Sequence, residues 1–264
     1  MQSSFISFLG KGMRTGHRSL SGSVKLLGII PLMTMLVFCN FHPVNRKVVG
    51  NGEKSVRKVT VGDYDGIEAK GILTVRLVPG REGEIRVITD QNLQPYVKVA
   101  LHEGVLSIGI RDHINYESDL GITVVVPYER LSSVSGKGIT HIETADDAVI
   151  RSDGSFRLAM LGMGRARLHV EAPQVKVRLQ GAADITLTGK TDRLTIQHMG
   201  LGRFNGLAME ARSVEAAMTG AGKAQVWARD SLKARVQGMG KLRYKGRPAH
   251  VDIHKSGLGT VTSL

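Results

Sequence analysis

The side chains with the clearest chemical potential are charged residues that recur at a nearly constant interval. Arg165, Asp184, Arg203, Lys223 and Lys241 each follow directly on a glycine-bearing motif, and Arg243 stands two residues beyond the last. If one interval is one turn of a regular stack, these groups lie above one another at about 4.8 Å. That is inside the Debye length of about 8 Å at physiological salt, so they act as one field. Asp184 offsets part of it, and Arg203, Lys223, Lys241 and Arg243 are left as a basic strip. Such a strip suits a polyanion held by screened electrostatics. The plainer alternative is a solvated face whose charges keep a flat sheet soluble and block lateral pairing.

Other chemistries find less support. The cluster contains one acid, whereas glycoside hydrolysis by general acid and base normally needs two carboxylates. The nine histidines are scattered and supply no metal-site pattern. His198 falls at an inward strand position, where a core histidine hydrogen-bonded within the stack is the simpler assignment. A single Cys excludes a disulfide framework and any Cys-based zinc or iron–sulfur site within one chain. Asp146-Asp147 and the stretch from Asp112 to Asp119 read as solvated loops, and no cofactor is called for.

The positioning elements follow from the glycines. Gly136-Lys137-Gly138, Gly162-Met163-Gly164, Gly200-Leu201-Gly202, Gly220-Ala221-Gly222, Gly238-Met239-Gly240 and Gly257-Leu258-Gly259, with a degenerate Gly181-Ala182-Ala183, recur at intervals of 26, 19, 19, 20, 18 and 19. The residues six, four and two before each first Gly are mostly apolar, as in Phe156, Leu158, Met160 or Leu194, Ile196, His198, which is the period of a strand. After each motif the alternation resumes, with Ala166 and Leu168, Ile185 and Leu187, or Phe204 on one face. A helix would have to follow these glycines for a phosphate-binding loop, and a strand follows instead. Such short repeats bury their apolar faces only by stacking.

The expected fold is therefore all-β: a right-handed parallel β-helix or β-roll-like solenoid of about six glycine-cornered coils of 18–20 residues, preceded by further β-strands. Composition agrees, with 32 Gly, 7 Pro, 42% apolar and 5% aromatic residues in 264. Four regions are expected: 1–39 a signal peptide or lipoprotein leader, 40–49 a tether, 50–130 an N-terminal β region and 131–264 the glycine-repeat region. Whether 50–130 is a separate domain stays open.

Charge is distributed unevenly. Residues 1–39 carry four basic and no acidic side chains, 40–135 balance at 12 of each, and 136–264 hold 20 basic against 11 acidic. In the leader, the apolar run from Leu26 to Cys39 is the length of a signal-peptide core and short of a bilayer span. Met13 gives a more ordinary start than Met1. Cys39 ends the run where a bacterial lipoprotein carries its lipidated cysteine, although Phe38 is large for the preceding position; an uncleaved anchor and cleavage near Asn40 are the alternatives. Export makes nucleic acid a poor partner, and no aromatic residues interleave with the basic ones to stack bases.

Gly50-Asn51-Gly52, Tyr64-Asp65-Gly66-Ile67, Asp90-Gln91-Asn92-Leu93, Val97 through Ile108, and Val124-Val125-Val126-Pro127 leading through Leu131-Ser132-Ser133-Val134-Ser135-Gly136 into the repeats form an ordered set. Over residues 50–264 this set resembles the GIN-domain family, described as autotransporter-adhesin head domains of bacterial envelopes. The resemblance implies a β-helix-like fold and an exported location, in the periplasm or on the outer membrane or cell surface of a Gram-negative bacterium; it supplies no catalytic residues. Family members usually show Gly-Ser-Gly at the corners, whereas Lys, Met, Ala or Leu stands in the middle here.

The functions in view are a non-catalytic cell-envelope binding or adhesion module, a structural spacer without a specific ligand, and a carbohydrate-active β-helix enzyme. For the first, the candidate ligand site is Arg165, Arg203, Lys223, Lys241 and Arg243, and the partner an anionic polysaccharide or lipopolysaccharide. Membrane contact is expected only through the leader or a lipid on Cys39.

Overall fold

The computed structural model describes residues 46–146 and 148–264. The leader, Cys39, the choice of start residue and Asp147 lie outside the described residues. The chain is all-β, with a solenoid of about six turns preceded by other strands. Among the described residues no helix is long and apolar enough to cross a membrane.

Each coil has one strand segment before a glycine corner and one after it. Before the corner, Val175, Val177 and Leu179 point inward and are buried while Lys176, Arg178 and Gln180 point out. Parallel pairing repeats this register from coil to coil, so Leu158, Val177, Ile196, Ala216 and Ala234 form one inward column. After the corner, Ala166, Ile185, Phe204, Ala224 and Leu242 form a second, equally buried. The two columns line a mostly aliphatic interior, in which Phe156 and Phe204 are the largest fully buried side chains.

The corners themselves are a column of stacked glycines: Gly71, Gly138, Gly162, Gly181, Gly200, Gly220, Gly238 and Gly257. All take φ between +93° and +130°, a region that strains any residue with a Cβ. Space excludes a side chain as well. A Cβ on Gly220 would stand 2.8 Å from the carbonyl oxygen of Gly200, and one on Gly238 would stand 2.9 Å from that of Gly220.

The structure corrects the repeat boundaries in several places. Gly138, rather than Gly136, stacks under Gly162, and Gly136 pairs with Met160. The stretch Thr188–Asp192, which reads as a polar turn, runs inside the strand Asp184–Gly200. The uneven intervals are absorbed at this second corner by register shifts between Thr186 and Thr188 and between Gly206 and Glu210. The terminal coil departs from the inward pattern: Val251, Ile253 and Lys255 are exposed.

The N-terminal region belongs to the same stack. Strand Gly66–Pro79 lies in parallel register beneath Ser133–Thr144, with Gly71 under Gly138. Below it run Val105–Ile110 and Thr123–Tyr128, also parallel. That end is closed by antiparallel strands, Val97–His102 on one side and Glu84–Asp90 with Lys54–Thr60 on the other. Arg46–Val49, expected as tether, form a strand paired with Ile114–Glu117. Buried Asp90 ties this segment down, accepting from the Gly52 N–H at 2.6 Å and from the Ser118 hydroxyl. The serine contact is the leading cause that holds its carboxyl below the usual carboxylate range. Asn92 adds a bond to the Val49 carbonyl at 2.7 Å. The Gly50-Asn51-Gly52 and Asp90-Gln91-Asn92 motifs are thus two halves of one clasp. One compact unit, Pro43–Leu264, contains the whole core from Tyr64 to Leu242 and has what a domain needs to fold by itself.

Gly181→Ala places a methyl group against the Gly162 carbonyl at a φ of +117°. It is expected to lower unfolding free energy by about 2–4 kcal/mol. Gly154→Ala meets nothing within 4 Å and serves as the control; equal denaturant midpoints for the two variants would refute the glycine-column account.

Candidate functional site

The outward faces after the corners carry the charged columns. Arg165, Asp184, Arg203, Lys223 and Lys241 are in direct register, one per coil. Two residues along, Arg167, Thr186, Asn205, Gln225 and Arg243 form a parallel column. Both line an open cleft of about 530 Å³ whose floor is the sheet itself. Strands held by ladders on both sides position these groups more rigidly than loops would.

The geometry divides the cations into two kinds. Arg203 is bound to Asp184 in a two-pronged contact, Nε to Oδ1 at 2.9 Å and Nη2 to Oδ2 at 2.5 Å. That hydrogen bonding is the leading cause that holds the Asp184 carboxyl below its ordinary range and raises the Arg203 guanidinium. Arg203 is thus neutralised, where the sequence leaves it in the uncompensated strip. Among the described residues, Arg165, Arg167, Lys223, Lys241 and Arg243 make no ion pair. The free positive charge therefore sits on both sides of a neutral pair. Arg167 is the residue the sequence reading leaves out of its site. Its position two residues after Arg165 on an alternating strand was the available signal.

Compensated charge dominates the second corner. Arg212 bridges to Asp230 at 3.2 Å and Asp192 at 3.8 Å, and Arg229 to Asp230 at 2.9 Å and Glu210 at 3.3 Å. These alternating signs hold successive turns together and leave little net field. A larger cleft of about 780 Å³ lies between turns at Asp63–Asp65, Arg81, Glu129 and Asp153. Its acids Asp63, Asp65, Glu129 and Asp153 are exposed on those turns, and half-buried Glu82 accepts from the Glu129 N–H at 2.9 Å.

No group of three or more potential metal ligands occurs among the described residues. His250 and His254, four apart, would converge on a helix; on the strand His250–Gly257 the same spacing separates them by about 13 Å. His198 is 1% exposed, directly between Leu179 and Met218 in the inward column. Its ring occupies the room left by Gly222, where a Cβ would collide with it. Neither ring nitrogen makes a well-formed hydrogen bond, and the Gly202 backbone offers at most a weak one. Burial pushes its pKa below the ordinary value, against a weaker opposite pull from the Gly202 backbone. It is a neutral packing residue and reaches no cleft.

Comparison with known proteins places residues 63–248 in the family model described as "Putative auto-transporter adhesin, head GIN domain". No curated protein matches the chain. Among solved structures, a putative adhesin of Bacteroides fragilis is similar with a TM-score of 0.75 at 18% identity, over 82% of this chain and 100% of that one. A Parabacteroides distasonis protein described as a putative lipid binding protein has a TM-score of 0.63 at 19% identity, over 83% and 100%. A putative adhesin of Parabacteroides merdae has a TM-score of 0.56 at 23% identity, over 83% and 99%. At these identities the likeness establishes a shared fold.

A buried imidazole with at most a weak hydrogen bond costs about 1–3 kcal/mol, so His198→Met, matching its neighbours, is expected to raise the melting temperature by several degrees. The unfolded chain takes up a proton at this position near pH 6.5, and burial lets the folded one do so only at lower pH. The gap between variant and parent should therefore widen as pH falls from about 7 to 5. A gap independent of pH would show that His198 stays neutral in both states or finds a partner.

Proposed function

We propose that this chain, which belongs to the family of putative auto-transporter adhesin head GIN domains, is an exported, non-catalytic cell-envelope binding module. Its outward strip holds an anionic polysaccharide, including the phosphorylated sugars of lipopolysaccharide. The observation that carries this reading is the set of cations without acidic partners, Lys223, Lys241 and Arg243 on one side and Arg165 and Arg167 on the other, over one sheet-floored cleft. At the second corner, by contrast, Arg212 and Arg229 are matched by acids. Leaving five unmatched on one face has a Coulombic cost that a bound polyanion would relieve.

The coil spacing supports a polymer in preference to a small anion. Lys223 and Lys241 stand on adjacent coils about 4.8 Å apart, and Arg165 lies beyond the Asp184–Arg203 pair, so an extended polyanion can reach both groups of cations where a small anion meets one. Hydrogen-bonding side chains Thr186, Asn205 and Gln225 stand in the same cleft and are suited to sugar hydroxyls. Export and attachment through the leader, by lipid on Cys39 or otherwise, belong to the same proposal.

Retention on an immobilised anionic polysaccharide should fall steeply between about 50 and 300 mM salt, as screened attraction requires. The triple change Lys223→Gln, Lys241→Gln and Arg243→Gln keeps the Asp184–Arg203 pair and should weaken retention at low salt by about ten-fold or more. Undiminished retention would exclude the strip as the site. Asp184→Asn acts in the opposite direction: it frees Arg203 and should strengthen retention several-fold, and a weakening there would mean that Asp184 itself contacts the ligand.

A further inference from the structure

The middle residues of the glycine motifs project from the first corner as a continuous apolar ridge. Met163 is 53% exposed, Leu201 70%, Met239 60% and Leu258 82%, with the small Ala182 and Ala221 between them. Each follows its corner glycine, and the backbone N–H of Ala182, Leu201, Ala221 and Met239 bonds to a glycine carbonyl of the coil beneath. The residues are therefore stacked in line, about 24 Å from Met163 to Leu258. Met199 adds to the same edge. At the other end the column continues through half-buried Ile139 to Ile72, which is 51% exposed. Soluble proteins rarely leave apolar surface contiguous in this way.

Charge borders the ridge. Two residues after Met163, Leu201, Ala221 and Met239 come Arg165, Arg203, Lys223 and Lys241; on the far side Arg178 and Arg235 point outward from their strands. We propose that this edge docks on an anionic lipid surface, with the apolar tips at the boundary between headgroups and acyl chains and the flanking cations against the headgroup phosphates. A convex ridge has no walls to enclose a small ligand. A second copy meeting it ridge to ridge would set the basic columns of both chains beside one another. A bilayer interface accepts a shallow apolar wedge with a basic border and gains from both features. This inference rests on the ridge and goes beyond the polysaccharide reading, to which Met163, Leu201 and Met239 are irrelevant.

The test uses the unit Pro43–Leu264, since the leader's apolar run would itself partition into lipid. Co-sedimentation with phosphatidylglycerol–phosphatidylethanolamine vesicles should exceed that with phosphatidylcholine vesicles. The triple change Met163→Ser, Leu201→Ser and Met239→Ser should lower the vesicle-bound fraction by about ten-fold and leave retention on anionic polysaccharide as in the parent. A second readout does not depend on that variant folding. Leu201→Trp should show a blue-shifted emission and quenching by brominated lipid on the anionic vesicles; the single native Trp227, held under Lys245 at the other corner, gives the background. Absence of binding to the anionic vesicles, full binding by the serine variant, or an introduced indole that brominated lipid does not quench would each overturn the inference. Loss of polysaccharide retention in the Lys223, Lys241 and Arg243 variant bears only on the strip, so the two proposals fail separately.

Discussion

The structure depends on a geometric exclusion: at each first corner the carbonyl oxygen of one glycine occupies the space in which the next glycine's side chain would stand. A parallel coil must reverse within about three residues and then present its backbone to an identical turn above. Only a residue without a Cβ satisfies both the positive φ and the close approach. With the corner set, strand direction, register and the alternation of inward and outward side chains follow, because the pairings on both sides of each corner are pinned at one shared point. The second corner is looser. It tolerates bulges and different residue counts, ion pairs link its turns, and only at Gly189 and Gly246 does a carbonyl beneath again exclude a Cβ.

This division of labour shapes the surface. The tight corner repeats every coil, so whatever follows or precedes the glycine is repeated too, and a single column becomes a continuous feature of the molecule. Charges at the first position after the corner become a strip, and apolar residues in the middle of the motif become a ridge. Neither could arise in a fold without translational repetition, because scattered lysines and methionines would be separated by unrelated surface. The same repetition makes the Asp184–Arg203 pair conspicuous, as a local neutral step in an otherwise positive column.

The two ends of the solenoid meet the problem of exposed coil edges differently. At the N-terminal end antiparallel strands cover the inward columns, and the Asp90 clasp fastens the first segment across them. At the other end the inward positions of the last coil, Val251 and Ile253, are open. Edge strands of this kind normally need a cover or charge to prevent pairing with other chains, and Asp252 and Lys255 supply charge there.

Much was legible in the sequence alone. The spacing of the glycines and the period-2 apolar pattern determined an all-β solenoid, the inward columns around Ile196 and Ile185, and the column from Arg165 to Lys241, because these are one-dimensional consequences of a repeat. The clasp motifs were visible as an ordered set, though their partnership was not. What only the tertiary structure decided were matters of register and neighbourhood: that Gly138 and not Gly136 is the corner, that strand Gly66–Pro79 carries a coil of its own across an insertion, that Arg203 turns to Asp184 and leaves its neighbours unpaired, that His198 makes no well-formed hydrogen bond, and that the middle residues of the motifs stand clear as a ridge. Each depends on the contact between a residue and one a full coil away. Sequence spacing specifies such a neighbour only where every turn has the same length, and the bulges and insertions of this chain break that condition.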